Sequence, residues 1–173
     1  MSIDQARTHD GRFGTMPSAE SGTTLTVDAP ETFGGLPLAP GVTRQDADLY
    51  TSSNCQQLAF AMHEATGWPY AAVVDGRDEK TGAYGWIHVG VMRPDGNFLD
   101  VEGAQDVDSV LDQYGDLSEH EDGESWLVIV SDLKELHLDL DRDFPPEDQD
   151  RARAVAAAVL AADEPARTFL GQP

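Results

Sequence analysis

Cys55, His88 and Asp100 are the three side chains of this chain whose types together make an acyl-transfer centre. A thiol attacks a carbonyl as thiolate, and free cysteine is only slightly ionised near neutral pH. A helix N-terminus and an adjacent imidazolium both favour the ionised form. A carboxylate bonded to the imidazole orients the ring and stabilises its charged state. Each residue also has an ordinary role. A lone cysteine is most often inert core, a strand histidine packs, and an aspartate flanks a turn. It is their conjunction that favours a Cys55-His88-Asp100 triad doing peptidase, amidase or deamidase chemistry.

The conjunction depends on a hairpin running from Trp86 to Glu102. Opposed residues of an antiparallel pair share a face, and their numbers add to a constant. Ile87, Val89 and Val91 on one strand and Leu99 and Val101 on the other must share the buried face. The constant is then even and the loop odd-numbered. Pro94-Asp95-Gly96 satisfies this: Pro presets φ, and Gly takes the left-handed conformation that closes such a loop. Val91 then opposes Leu99, Val89 opposes Val101, and Asp100 opposes Gly90. His88 becomes the diagonal neighbour of Asp100, ~7–8 Å away between backbones, with Gly90 leaving room. Asp95-Gly96 alone signals a two-residue turn, but that turn divides the aliphatic stripe between two faces and is rejected.

Other elements must bring Cys55 to this hairpin. Ser53 followed by Gln56 fits a capping box. The stripe Cys55, Leu58, Met62, Ala65 has helical spacing, and Gly67 and Pro69 end the helix. Cys55 thus falls in the first turn on the core-facing side. Its backbone N–H is a candidate oxyanion donor, with Asn54 or Tyr50 as the second. Trp86 falls on the face of His88 and is a candidate cleft wall, or else ordinary packing. The segment 70–74 reads as a short strand and 75–85 as a charged loop. Val107, Val110, Leu111 and Tyr114 mark an amphipathic helix stopped by Gly115, and 117–124 is an acidic loop. Trp126–Val130 reads as a central strand. Leu136, Leu138 and Leu140 alternate as an exposed edge strand. Pro145–Ala162 is a helix with Pro in its first turn and acids early.

Residues 1–40 are polar, rich in Gly, Pro, Ser and Thr, and read as a disordered arm. Residues 41–162 form one α+β domain, and 163–173 a loose tail. The 173-residue chain carries a formal charge of −21, from 32 acidic residues against 11 basic ones. Such a surface argues against direct binding of nucleic acid or an anionic membrane. It suits a basic partner, a high-salt cytoplasm, mimicry of a nucleic-acid backbone, or solubility alone. A single cysteine excludes an internal disulfide, and no segment reads as a signal peptide or a membrane span. A cytoplasmic location follows as an expectation. His9, His63, His120 and His137 stand at no ligand spacing, and His88, Asp100 and His120 form no metal motif, so neither metal nor cofactor is expected.

Asn54-Cys55-Gln-Gln-Leu58 opening a helix, His88-Val-Gly-Val91 on a strand and Asp100 on the next resemble the papain-like cysteine hydrolases. The NlpC/P60 branch is especially similar, with a helix-borne cysteine facing a histidine strand and a polar third residue beyond it. The resemblance spans Asn54 to Asp100. It implies a papain-like core: a Cys-bearing helix packed on a small antiparallel sheet, with a C-terminal helix added. It also implies acyl chemistry on a peptide or amide-containing substrate, of which a basic one would suit the acidic surface. The alternative is a non-enzymatic acidic binder, a nucleic-acid mimic or an inhibitor of a basic protein, on the same fold.

Overall fold

The turn at Pro94–Gly96 forms as its residue types require. Gly96 takes φ +88°, Arg93 and Asn97 close the loop by a backbone hydrogen bond of 2.9 Å, and Val91 faces Leu99. The odd-numbered loop therefore holds. The computed structural model describes residues 31–117, 125–139, 142, 144–163 and 166.

These residues form a mixed α+β fold. Its five-stranded antiparallel sheet runs in the order β6-β5-β4-β3-β7. The strands are β3 (Tyr70–Arg77), β4 (Tyr84–Met92), β5 (Phe98–Asp100), β6 (Gly103–Gln105) and β7 (Trp126–Val130). A separate two-stranded hairpin joins β1 (Thr32–Phe33) and β2 (Leu36–Pro37). Four helices are described: α1 (Arg44–Ser52), α2 (Cys55–Thr66), α3 (Val107–Tyr114) and α4 (Pro146–Ala162). Strand alternation divides the core in two. Ala72, Val74, Val89, Val91 and Leu99 meet α2 and α4 on one face. Ala71, Val73, Met92 and Phe98 meet Val110 and Tyr114 of α3 on the other.

Several expectations are corrected. The helix bearing Cys55 has Asn54, not Ser53, at its N-cap, with no side-chain cap. Ser53 instead closes α1, its N–H and hydroxyl both donating to Leu49 O. Helix α1 itself went unread. Its capping box pairs Thr43 with Asp46, and Arg151 of α4 forks onto the Asp46 carboxylate. Burial works against that charge, but Arg151 and Thr43 hold the carboxyl below its usual range. Ala65 is exposed, and Thr66 takes its place on the buried stripe. The segment read as a loop over 75–85 is strand at both ends, with β3 running to Arg77 and β4 starting at Tyr84, so the loop itself is confined to 78–83.

Among the described residues strand β7 is an edge, paired only with β3. Helix α3 is eight residues long. It packs with Leu127 but leaves Ile129 58% exposed. Leu133–Leu136 is a 3-10 turn, capped where the Asp132 side chain accepts from Lys134 N–H. His137, at φ 56°, then breaks the alternation, so Leu136 and Leu138 both bury rather than line an edge strand. Leu140 lies outside the described residues. Part of the supposed arm is ordered, with β1 and β2 turning at Gly34-Gly35 and Leu38 entering the core; residues 1–30 lie outside the description. At the other end Ala166 is fully buried, so the chain does not leave the core at Asp163. The expected helices over Val107–Tyr114 and 145–162 are present within a residue. No helix of the described residues is long and apolar enough to cross a membrane.

Gly90 holds the hairpin to its fold for a reason other than the expected one. A Cβ there would lie 2.5 Å from the Phe98 ring and 2.6 Å from Leu99 O. The room is filled by Phe98, not left between His88 and Asp100. Gly90→Ala should destabilise by about 3 kcal/mol, the range of overpacking a tight core, read as a fall in the urea midpoint. An unchanged midpoint would show that the strands separate freely.

Candidate active site

His88 and Asp100 do meet. Nε2 of the ring lies 2.8 Å from Asp100 Oδ2, with the two residues 0% and 2% exposed. The expected route to this pair was a long second strand, with Val101 opposite Val89. Instead β5 stops at Asp100, and the chain turns through Val101-Glu102 into β6, where Asp100 faces Gly103. That turn fixes the carboxylate: Glu102 N–H donates to Asp100 Oδ1 at 2.8 Å and Gln105 Nε2 at 3.3 Å. The pattern Asp-x-x-Gly was the signal for a second tight turn here.

On the other side of His88 the β3–β4 ladder slips. Val73 pairs with His88 but Val74 pairs with Trp86, leaving Ile87 as an extra residue. This bulge reverses the expected facing of Trp86. Trp86 packs against the cluster of α2, while His88 is stacked among residues of the α3 cluster. Trp86 is therefore not a wall on the His88 face.

Cys55 opens α2 and is 4% exposed. Its thiol donates to Gln56 Oε1 at 3.9 Å. The sulfur belongs to the α2 layer and the ring to the α3 layer, yet Cys55 is near enough to act on the charge of the ring. Burial works against a charged ring, but the Asp100 hydrogen bond and the neighbouring Cys55 outweigh it and push the His88 pKa up to about 9. Nδ1, the nitrogen that Asp100 leaves over, has no hydrogen-bond partner among the described residues. The thiol is thus near the ring without being aligned on Nδ1, a looseness common in unliganded catalytic pairs.

The oxyanion candidates separate. The Cys55 N–H is at the first helical position, where no intrahelical acceptor exists. Asn54 stands beside it, its amide donating to Gln57 Oε1 at 3.3 Å. Tyr50 is buried, and its pKa is pushed up to about 12 by that burial and by the charge of Asp46. The charges that act on its hydroxyl are Asp46, Arg151 and Asp148, none of them in the triad. Among the described residues no group of His, Cys, Asp and Glu could hold a metal.

The sequence reading missed what covers the site. The Tyr114 ring stacks on His88 at 3.9 Å and 5°, and Phe98 packs beside it at 5.8 Å. Tyr114 OH donates to Glu102 Oε2 at 3.2 Å and Gln113 Nε2 to the same oxygen at 2.6 Å. Burial raises the Glu102 pKa against the pull of these donors. Tyr114→Phe keeps the stack but takes one donor from a buried carboxylate. It should cost about 1–2 kcal/mol in urea unfolding; no loss would mean that the bond contributes nothing.

Comparison with protein-family models, curated proteins and solved structures finds no match to this chain.

Proposed function

We propose that this protein is a thiol-dependent hydrolase of papain-like type, acting on an amide, thioester or peptide bond through Cys55, His88 and Asp100. The observation that carries the reading is the buried His88–Asp100 bond of 2.8 Å beside a cysteine at the first position of a helix. In this reading the Cys55 thiolate attacks the substrate carbonyl, and its oxyanion is met by the Cys55 N–H at the helix mouth. The His88 imidazolium gives its proton to the leaving amine or thiolate. Water, deprotonated by His88, then cleaves the thioester and frees Cys55. Asp100 holds the ring and its charge throughout.

Access is the demand this reading makes. The cavities at Pro37–Pro40 and at His63–Tyr70 are lined by other residues than the triad, and Tyr114 covers the His88 ring, so in this reading substrate entry involves movement of the side chains over the site. The same burial, with a charge of −21, favours a second reading in which the trio is structural and the acidic surface binds a basic protein.

Turnover on a panel of peptide, anilide and thioester substrates separates the two. The hydrolase reading expects at least one to be cleaved by the full chain and not by Cys55→Ala. No turnover, together with a tight salt-sensitive complex that survives Cys55→Ser, would establish the binder instead.

A further inference from the structure

Between the Pro37–Pro40 segment, the turn from β5 into β6 and the C-terminal end of α4 lies a cavity of about 470 Å³, within the size range of small-ligand sites. Its walls are aliphatic, with Leu38, Leu99, Val101, Val159 and Ala162 among them, and no basic side chain is among the described residues that line it. Glu102 lines it too and is 8% exposed. The two oxygens of that carboxylate differ. Oε2 is taken by Gln113 and Tyr114. Oε1 is bonded by no described residue and points toward the β1–β2 turn, where a Cβ on Gly34 would stand 3.0 Å away. Asp163, the other acid of the lining, has the Arg93 guanidinium 3.4 Å away.

We propose that this cavity binds a primary ammonium carried on an aliphatic body, with the cation on Glu102 Oε1 and the chain against Leu99, Val101 and Val159. Oε1 keeps a free acceptor at the edge of this apolar wall, and an ammonium supplies the charge-assisted donor it lacks. Guanidinium is a poorer match, since its fork wants both oxygens and Oε2 is committed. A metal ion would need several more ligands, and the other acid of the described lining, Asp163, already faces Arg93. The chain's negative charge adds attraction at long range. The site does not depend on the chemistry of Cys55, so its test stands whether or not the hydrolase reading does.

The test is titration of the full chain with n-hexylamine at neutral pH, followed by amide chemical shifts. Saturable shifts at Gly103, Ala104 and Ala162 are expected. Glu102→Gln should weaken binding by about tenfold or more, and Ala162→Trp, which fills the cavity, should abolish it. On the wild type, 1-hexanol should bind about tenfold more weakly, an arm that needs no variant to fold. Hexanol binding as tightly as the amine, undiminished affinity in either variant, or the absence of saturable shifts would each overturn the proposal.

Discussion

Replacing His88 by Gln should slow alkylation of Cys55 by iodoacetamide at pH 7 by roughly tenfold or more. In the native protein the ring, with a pKa of about 9, is charged at that pH and stands beside the sulfur. A cation there favours thiolate, the species that reacts. Glutamine keeps a hydrogen bond for Asp100 but brings no charge, so the sulfur would lose that activation. Comparing two proteins of the same burial removes access from the comparison. Equal rates would show that His88 does not activate Cys55, and would leave the trio a structural cluster.

The second large effect is on stability against pH. His88 has a folded-state pKa raised from 6.5 to about 9. A raised pKa means the folded state holds the proton more tightly, so its contribution is complete below about pH 6.5. It is lost as pH rises through about 9, and should amount to on the order of 3 kcal/mol. Urea unfolding between pH 6 and pH 10 should therefore show a steady loss of stability. Asp100→Asn removes the carboxylate that outweighs the cost of burying the charged ring, so this loss should shrink or reverse in the variant. The variant should also be less stable near neutrality, because a buried ion pair broken on one side leaves an uncompensated charge. An identical pH profile in both proteins would mean that the 2.8 Å contact is not an ion pair.

Glu102 adds a trend of the same sign. Its raised pKa makes its contribution fall as pH rises above the usual carboxyl range. Asp46, whose pKa is lowered, acts the other way, its contribution disappearing only on acidification. The His88 window lies above that of Asp46, so acidification and alkalinisation report on different groups.

What could be read from the chain alone is what adjacent residues decide. Pro94-Asp95-Gly96 dictates an odd loop, and parity then places His88 and Asp100 on one side of the ribbon. Gly67 in the left-handed region ends α2, and the Val110 and Tyr114 stripe puts one face of α3 into the core. The short reach of these interactions is why they survive into the fold. Ser53 shows the limit: its spacing to Gln56 suits a cap, but a preceding helix claims its donors first.

Tertiary structure decided the rest, because it turned on which segments lie next to one another. Nothing local says that β7 lies at the edge of the described sheet, that a bulge at Val73–Val74 turns Trp86 away, or that Asp100 is held by Gln105 after a second turn. The roof that Tyr114 sets over His88 joins helix to strand across the α3 face. Periodicity said that Tyr114 is buried, and only packing could say what it is buried against.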